Sequence, residues 1–112
     1  NLPPAMARVI AHIDAHLAGA LQVERLALVA EMSRGHFVRQ FTRATGSAPS
    51  DFVLARRLDR IERLLLATDM NVGAIAAAAG FADANYLAKA FRRQRGMAPL
   101  QFRASRRLAA GT

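Results

Sequence analysis

The chain has 112 residues, with 15 Arg, one Lys, eight acids, no Cys, no Trp and a formal net charge of +8, which suits one domain or two very small ones sharing a core. Hydrophobic residues make up 53%, but 25 residues are Ala, so the remaining larger side chains can build only a thin, closely packed interior. The lack of Cys excludes disulfides, thiolate catalysis and Cys-ligated zinc, and no apolar run nears the ~20 residues of a membrane span.

In chain order, Pro3 and Pro4 precede Met6, Val9, Ile10, Ile13 and Leu17, a single helical stripe with Gly19 as its stop. Val23, Leu26, Ala27 and Ala30 make a shorter second stripe. Ser33 then caps a third helix carrying Phe37, Phe41 and Ala44 and closed by Gly46. Pro49 opens a long fourth helix through Phe52, Ala55, Leu58, Ile61 and Leu65 to near Thr68. Asn71 caps a fifth with Val72, Ile75, Ala76 and Ala79, and Gly80-Phe81 makes a turn. Asp83 caps a sixth with Leu87, Ala90 and Phe91, closed by Gly96, and Pro99 opens a seventh through Phe102 to about Leu108. β-branched residues form no alternating run, so the fold class is all-α with seven helices. The segments divide as residues 1–20, an N-terminal helix; 21–48, a first helix-turn-helix; 49–68, a linker helix; and 69–112, a second helix-turn-helix with a C-terminal helix. A start at Asn1 rather than Met suggests one piece of a longer polypeptide, and the absence of an export signal in these residues suggests a cytoplasmic chain.

The charge is unevenly placed. Residues 1–32 and 47–83 are each near neutral, whereas 33–46 hold Arg34, Arg39 and Arg43 with no acid, and 84–112 hold Lys89, Arg92, Arg93, Arg95, Arg103, Arg106 and Arg107 with no acid. Two acid-free stretches half a chain apart look like two contact surfaces for phosphate. Complementing helix dipoles accounts equally well for Arg92, Arg93 and Arg95, but poorly for Arg34 at a helix start.

Aligned on itself, the chain repeats. Val23, Leu26 and Ala27 match Val72, Ile75 and Ala76 at an offset of 49. Phe37, Arg39, Phe41, Arg43, Gly46, Ala48-Pro49 and Phe52 match Leu87, Lys89, Phe91, Arg93, Gly96, Ala98-Pro99 and Phe102 at 50. Each copy reads as helix, tight turn, capped helix, Gly stop and Ala-Pro restart. That is the outline of a helix-turn-helix whose second helix enters a major groove, or of a bare packing repeat. The basic stretches begin at the second helix of each copy, which favours the former.

From Leu21 to Arg107 the residues resemble the DNA-binding domain of AraC/XylS-type bacterial transcription regulators. The resemblance rests on Leu26-Ala27, Ser33-x-x-x-Phe37-x-x-x-Phe41 with Thr45-Gly46, Arg57-Leu58, Leu64-Leu65, Ile75-Ala76 with Gly80-Phe81, and Phe91 followed by Gly96, Pro99 and Phe102-Arg103. It implies two helix-turn-helix subdomains on a rigid linker, two recognition helices (about 33–45 and 83–95) in successive major-groove segments of double-stranded DNA, and no enzymatic activity or cofactor. It also implies activation more often than repression, RNA polymerase as a partner open to such a domain, and effector and dimerisation functions in a domain absent from this chain. Ala48, Ala98 and Gln22 replace better capping residues, Leu87 stands for a more usual Phe, and Gly35 and Ala84 are short where some members place a base-reaching group.

With Phe37, Phe41 and Ala44 turned inward, Arg34, Gly35, Val38, Arg39 and Thr42 point away. Arg39 suits the O6 and N7 acceptors of guanine, with a phosphate-only role as the alternative; the matching family position is a base-contact site. Arg34 and His36 join it as base contacts, although a His beside a core Phe is as often structural. In the second copy Asn85 suits adenine, Lys89 guanine and Ala84 the thymine methyl, while Tyr86 is divided between core edge and phosphate. Phosphate contacts are expected from Ser33, Thr42, Arg43, Tyr86, Arg92, Arg93 and Arg103. Arg57, near Asp51, Asp59 and Glu62, reads as ion-paired or packed under the interface at least as readily as in contact with DNA, and Arg56, Arg60 and Arg63 as an ordinary solvated face. His12 and His16, four apart, lack a third metal ligand, so no metal or catalytic site is expected. The other class left standing is a helical module binding nucleic acid or membrane surfaces nonspecifically.

Overall fold

The computed structural model describes residues 1–111, and within them the regular structure is helical throughout. Seven helices follow one another among the described residues: α1 (Pro4–Ala15), α2 (Val23–Ala30), α3 (Arg34–Thr45), α4 (Pro49–Ala67), α5 (Val72–Ala78), α6 (Ala84–Arg95) and α7 (Pro99–Ala110). The chain forms two compact units, residues 1–56 and residues 57 onward, so the division falls inside the continuous helix α4.

The first unit closes over Met6, Val9, Ile13, Leu17, Leu21, Leu26, Ala27, Ala30, Phe37, Phe41 and Val53. Proline sits in the first turn of α1, where a missing N–H costs no hydrogen bond. On α2 the buried face is Leu26, Ala27 and Ala30, and the two small residues let α2 lie close against α1 and α3. Helix α2 ends in a left-handed residue, Glu31 at φ 59°, and the Met32 N–H reaches back to the Ala27 carbonyl at 3.0 Å. This closure ends α2 and directs the chain into α3. Ser33 then accepts the His36 N–H on its hydroxyl at 3.3 Å, and Gly46 at φ 80° closes α3 with its N–H on the Thr42 carbonyl. Phe41 and Phe52 meet edge to face with ring centres 5.1 Å apart, and the Arg56 guanidinium lies over the Phe52 ring at 4.8 Å.

The second unit repeats these devices on Leu58, Ile61, Leu65, Ile75, Ala76, Ala79, Phe81, Leu87, Phe91 and Phe102, all buried. Asn71 caps α5 by accepting the Ala74 N–H at 2.8 Å. The left-handed position is now Gly80, at φ 85°, and Phe81 N–H returns to Ala76 at 2.9 Å. Asp83 accepts the Tyr86 N–H at 2.8 Å, and Gly96 closes α6 at φ 81° on Arg92. Phe91 packs edge-on against Phe102 at 5.3 Å, with Arg106 over that ring at 5.0 Å. The offset-50 repeat therefore extends to the cation over the aromatic ring, Arg56 in one unit and Arg106 in the other.

Three local readings of the sequence change. Helix α1 ends at Ala15, short of Leu17: the His16 N–H turns to the Ile13 carbonyl three residues back while its ring Nδ1 donates to the His12 carbonyl at 2.8 Å, leaving Leu17 buried beyond the helix. Helix α7 runs to Ala110 rather than about Leu108. The linker arginines are not a uniformly solvated face: Arg56 lies 3.7 Å from Asp14 and over Phe52, and the Arg60 Nε is buried without a hydrogen-bond partner. Gln22 and Ala98 do stand at helix starts without a side-chain cap.

Candidate nucleic-acid interface

Each unit presents one capped helix, α3 or α6, whose buried face is two large residues a turn apart: Phe37 and Phe41, or Leu87 and Phe91. Pinning one face to the core in this way fixes which side chains can point outward. On α3 the exposed residues are Arg34, Gly35, His36, Arg39, Thr42 and Arg43, with Val38 half-buried; on α6 they are Asn85, Tyr86, Lys89, Arg92, Arg93 and Gln94, with Ala84 and Ala88 half-buried. Every residue expected to read bases or hold phosphate on these two helices lies on the outward or half-buried side. The caps also leave N–H groups and the positive dipole end of each helix at that surface.

Around α3 the cations are arranged differently from one another. The Arg39 guanidinium lies back along the helix over Gly35, its Nη1 3.4 Å from where a Cβ would stand. Arg34 is held by Glu24 of α2, Nε donating to Oε2 at 3.0 Å with both side chains well exposed. His36 contributes its backbone N–H to the Ser33 cap and is exposed.

Around α6, Lys89 and Arg92 line a shallow cleft of about 130 Å3 with Ala88. Tyr86 is exposed, its ring 5.6 Å from and tilted against that of buried Phe81. Beneath it Arg57 is half-buried; desolvation pushes its guanidinium below the usual pKa, opposed by Tyr86. Asp59 and Glu62, which could have paired with Arg57, are both taken by Arg95, at 3.2 Å for Asp59.

The basic stretch from residue 84 is therefore not one surface. Arg95 turns to α4, and Arg107 donates to Asp69 at 2.9 Å and to the Thr68 carbonyl at 2.6 Å. Arg103, expected at phosphate, instead donates Nε to the Leu65 carbonyl at 2.8 Å and Nη2 to Thr68 and Met70 at 3.1 and 2.8 Å. The Leu65 carbonyl belongs to the last turn of α4, which lacks helical donors, and Thr68 and Met70 belong to the segment just after it, so this guanidinium clamps the C-terminal end of α4. The repeat carried a signal for this: the offset-50 counterpart of Arg103 is Val53, which is buried. Lys89, Arg92 and Arg93 make no ion pair among the described residues. The role of Glu24 as partner of Arg34 was missed because ten residues separate them across a turn.

At the end of α1, His12 and His16 stack at 4.2 Å beside Arg25 at an open cleft of about 210 Å3. Among the described residues no group of three or more metal-ligating side chains gathers there or elsewhere. Desolvation, then His16 and Arg25, hold the His12 pKa below its usual value. No helix among the described residues is long and apolar enough to cross a membrane.

Comparison with known proteins places this geometry. Residues 26–105 match the family described as a helix-turn-helix domain. The chain is 32% identical over 106 residues to the HTH-type transcriptional activator RhaS of Escherichia fergusonii, covering 95% of this chain and 38% of that protein. It is 30% identical over 93 residues to the MmsAB operon regulatory protein of Pseudomonas aeruginosa, covering 83% of this chain and 30% of that protein. The chain thus spans about a third of the length of these curated relatives. Among solved structures, the DNA-binding domain of the global transcriptional factor AdpA, determined in complex with a target DNA, superposes with a TM-score of 0.91 at 37% identity over 96% of each chain.

Proposed function

Because the chain belongs to the AraC/XylS-type family of helix-turn-helix DNA-binding domains, we propose that it recognises double-stranded DNA by placing α3 and α6 in major-groove segments. Residues 21–48 and 69–112 serve as the two reading units. The observation that carries this reading is the matched pair of capped helices whose outward faces hold Arg39 and Lys89 at equivalent positions. Arg39 reads guanine through a bidentate guanidinium, with Arg34 and His36 beside it; Asn85 and Lys89 read adenine and guanine, and Ala84 offers a methyl contact. Ser33, Thr42, Arg43, Tyr86, Arg92 and Arg93 contact phosphate and set the register. Arg103 leaves this set, since its Nε and Nη2 are committed to carbonyls at and just beyond the end of α4.

Within a longer polypeptide, the domain serves a cytoplasmic transcription regulator, an activator by preference. It works with RNA polymerase, while effector binding and dimerisation reside in another region of the protein. Fluorescence anisotropy with random duplex, single-stranded DNA and liposomes at two salt concentrations tests the reading. Duplex binding that weakens steeply with salt, with no preference for single strands, supports it; binding to liposomes but not to duplex contradicts it and favours a nonspecific surface-binding module.

A further inference from the structure

Glu24 is the one acid in the first turn of α2, and it faces the first residue of α3 across the helix-turn-helix. Its carboxylate takes the Arg34 Nε at 3.0 Å, with side-chain exposures of 69% and 62% for acid and base. An ion pair that open to water adds little to folding. Scaffold need does not account for it either, because the second unit is built without one: the counterparts are Gly73 at offset 49 and Ala84 at offset 50. Both partners are present in one copy of the repeat and both are absent from the other. The carboxylate is anionic at neutral pH, its pKa held below the usual range by a backbone N–H at Glu24 itself and then by Arg34. A negative charge at the edge of a face that meets a polyanion repels it, and here the charge is aimed at a cation that such a face would otherwise offer freely.

We propose that Glu24 is a specificity-determining residue, holding Arg34 off phosphate in sequence-independent complexes and yielding it only when α3 is seated in a preferred site. The proposal rests on the reading that α3 enters DNA. Sequence-independent affinity comes from phosphate contacts. Exchanging one exposed carboxylate for one exposed phosphate gains little, so on random duplex Arg34 stays with Glu24. In a preferred site the guanidinium meets base-edge acceptors fixed in its own plane. Two-pronged bonding of that kind outbids a single exposed carboxylate contact. The pair therefore lowers affinity for random sequence more than for the preferred one, and the ratio between them rises.

A double-mutant cycle on the whole chain tests this. Glu24→Gln, Arg34→Ala and the double variant are titrated against random duplex and against a duplex obtained by site selection, over a series of salt concentrations. Circular dichroism should show unchanged helicity and melting, because both side chains are exposed. Glu24→Gln is expected to tighten random-duplex binding roughly two- to fivefold and to steepen its salt slope by about one. It should tighten binding to the selected duplex less, and both changes should vanish in the Arg34→Ala background. Equal tightening on both duplexes, tightening that persists without Arg34, or no change overturns the proposal while leaving DNA recognition standing. A wild-type chain that binds no duplex overturns both.

Discussion

The two units close their first reading-motif helix on the same hydrogen bond, Met32 to Ala27 in one and Phe81 to Ala76 in the other. Both stop the following helix on a glycine near φ 80° and lock it with a Phe pair. The outward faces share far less. Arg34, Gly35 and Arg39 in the first unit stand against Ala84, Asn85 and Lys89 in the second, and only the first has an acid paired to a cation at the start of its exposed helix. Cations follow the reverse pattern behind the face: within the second unit Arg95, Arg103 and Arg107 tie α6 and α7 to α4 and the segment just after it, whereas Val53, buried, fills the place of Arg103 in the first. Backbone geometry and core have been kept in duplicate, and the surfaces they present have been free to diverge.

Deleting an aromatic is the harshest way to examine the shared part. Phe41→Ala and Phe91→Ala remove fully buried rings and should each cost about 3–5 kcal/mol. Residue-resolved hydrogen exchange should show the loss concentrated in the mutated unit, with equal costs if the cores are equivalent. Unequal costs would break the symmetry claimed for them.

The clamp comes next in size. Arg103→Leu discards three bonds to carbonyls and should lower stability by about 2–3 kcal/mol, whereas Val53→Ala should cost about 1.5 kcal/mol through lost methyl burial. The salt slope of duplex binding should not move for Arg103→Leu; a drop of about 0.9 would return this residue to phosphate contact.

The turns differ at their left-handed position, and the second is one residue longer. Glu31 occupies the left-handed position that Gly80 fills in the other unit, and a non-glycine residue there costs about 1–2 kcal/mol. After the greater chain entropy of glycine is deducted, Glu31→Gly should stabilise the first unit by about 0.5–1 kcal/mol, and Gly80→Ala should destabilise the second by about 1 kcal/mol. Thermal melts of the two variants should move in opposite directions.

Acidification has the smallest effect and separates the units by composition. All three histidines lie in the first unit. The folded chain holds His12 below its ordinary pKa of 6.5, chiefly by desolvation, so the fold favours the neutral ring. That contribution is full above 6.5 and is lost as pH falls through the window below it. Between pH 7 and 5 the first unit should lose a little protection from hydrogen exchange, His12→Gln should abolish the change, and the second unit should stay level over that range.

What was legible in the sequence is what is local. Ser33, Asn71 and Asp83 cap the helices they precede, and Gly46 and Gly96 stop them, because caps and left-handed stops depend on a few adjacent residues. The inward Phe37, Phe41, Leu87 and Phe91 follow from helical spacing, and with them the outward residues. The partners of Arg56, Arg103 and Arg107 are not legible in the sequence, because a guanidinium on a long stem settles by tertiary neighbours. Arg103 and Arg107 carry the same charge count whether they meet phosphate or the end of α4, and Arg56 lies over an aromatic ring that one-dimensional charge patterning does not display.

The difference between the two outward faces is tested most directly by selecting binding sites from a random duplex library with the wild-type chain, Arg39→Ala and Lys89→Ala. Arg39→Ala should erase a guanine preference in one part of the selected site, about 1–3 kcal/mol of discrimination, while Lys89→Ala weakens binding with a smaller change in sequence preference. Equal losses of preference from the two variants, or no preference in the wild-type selection, would contradict a first unit that reads sequence more sharply than the second.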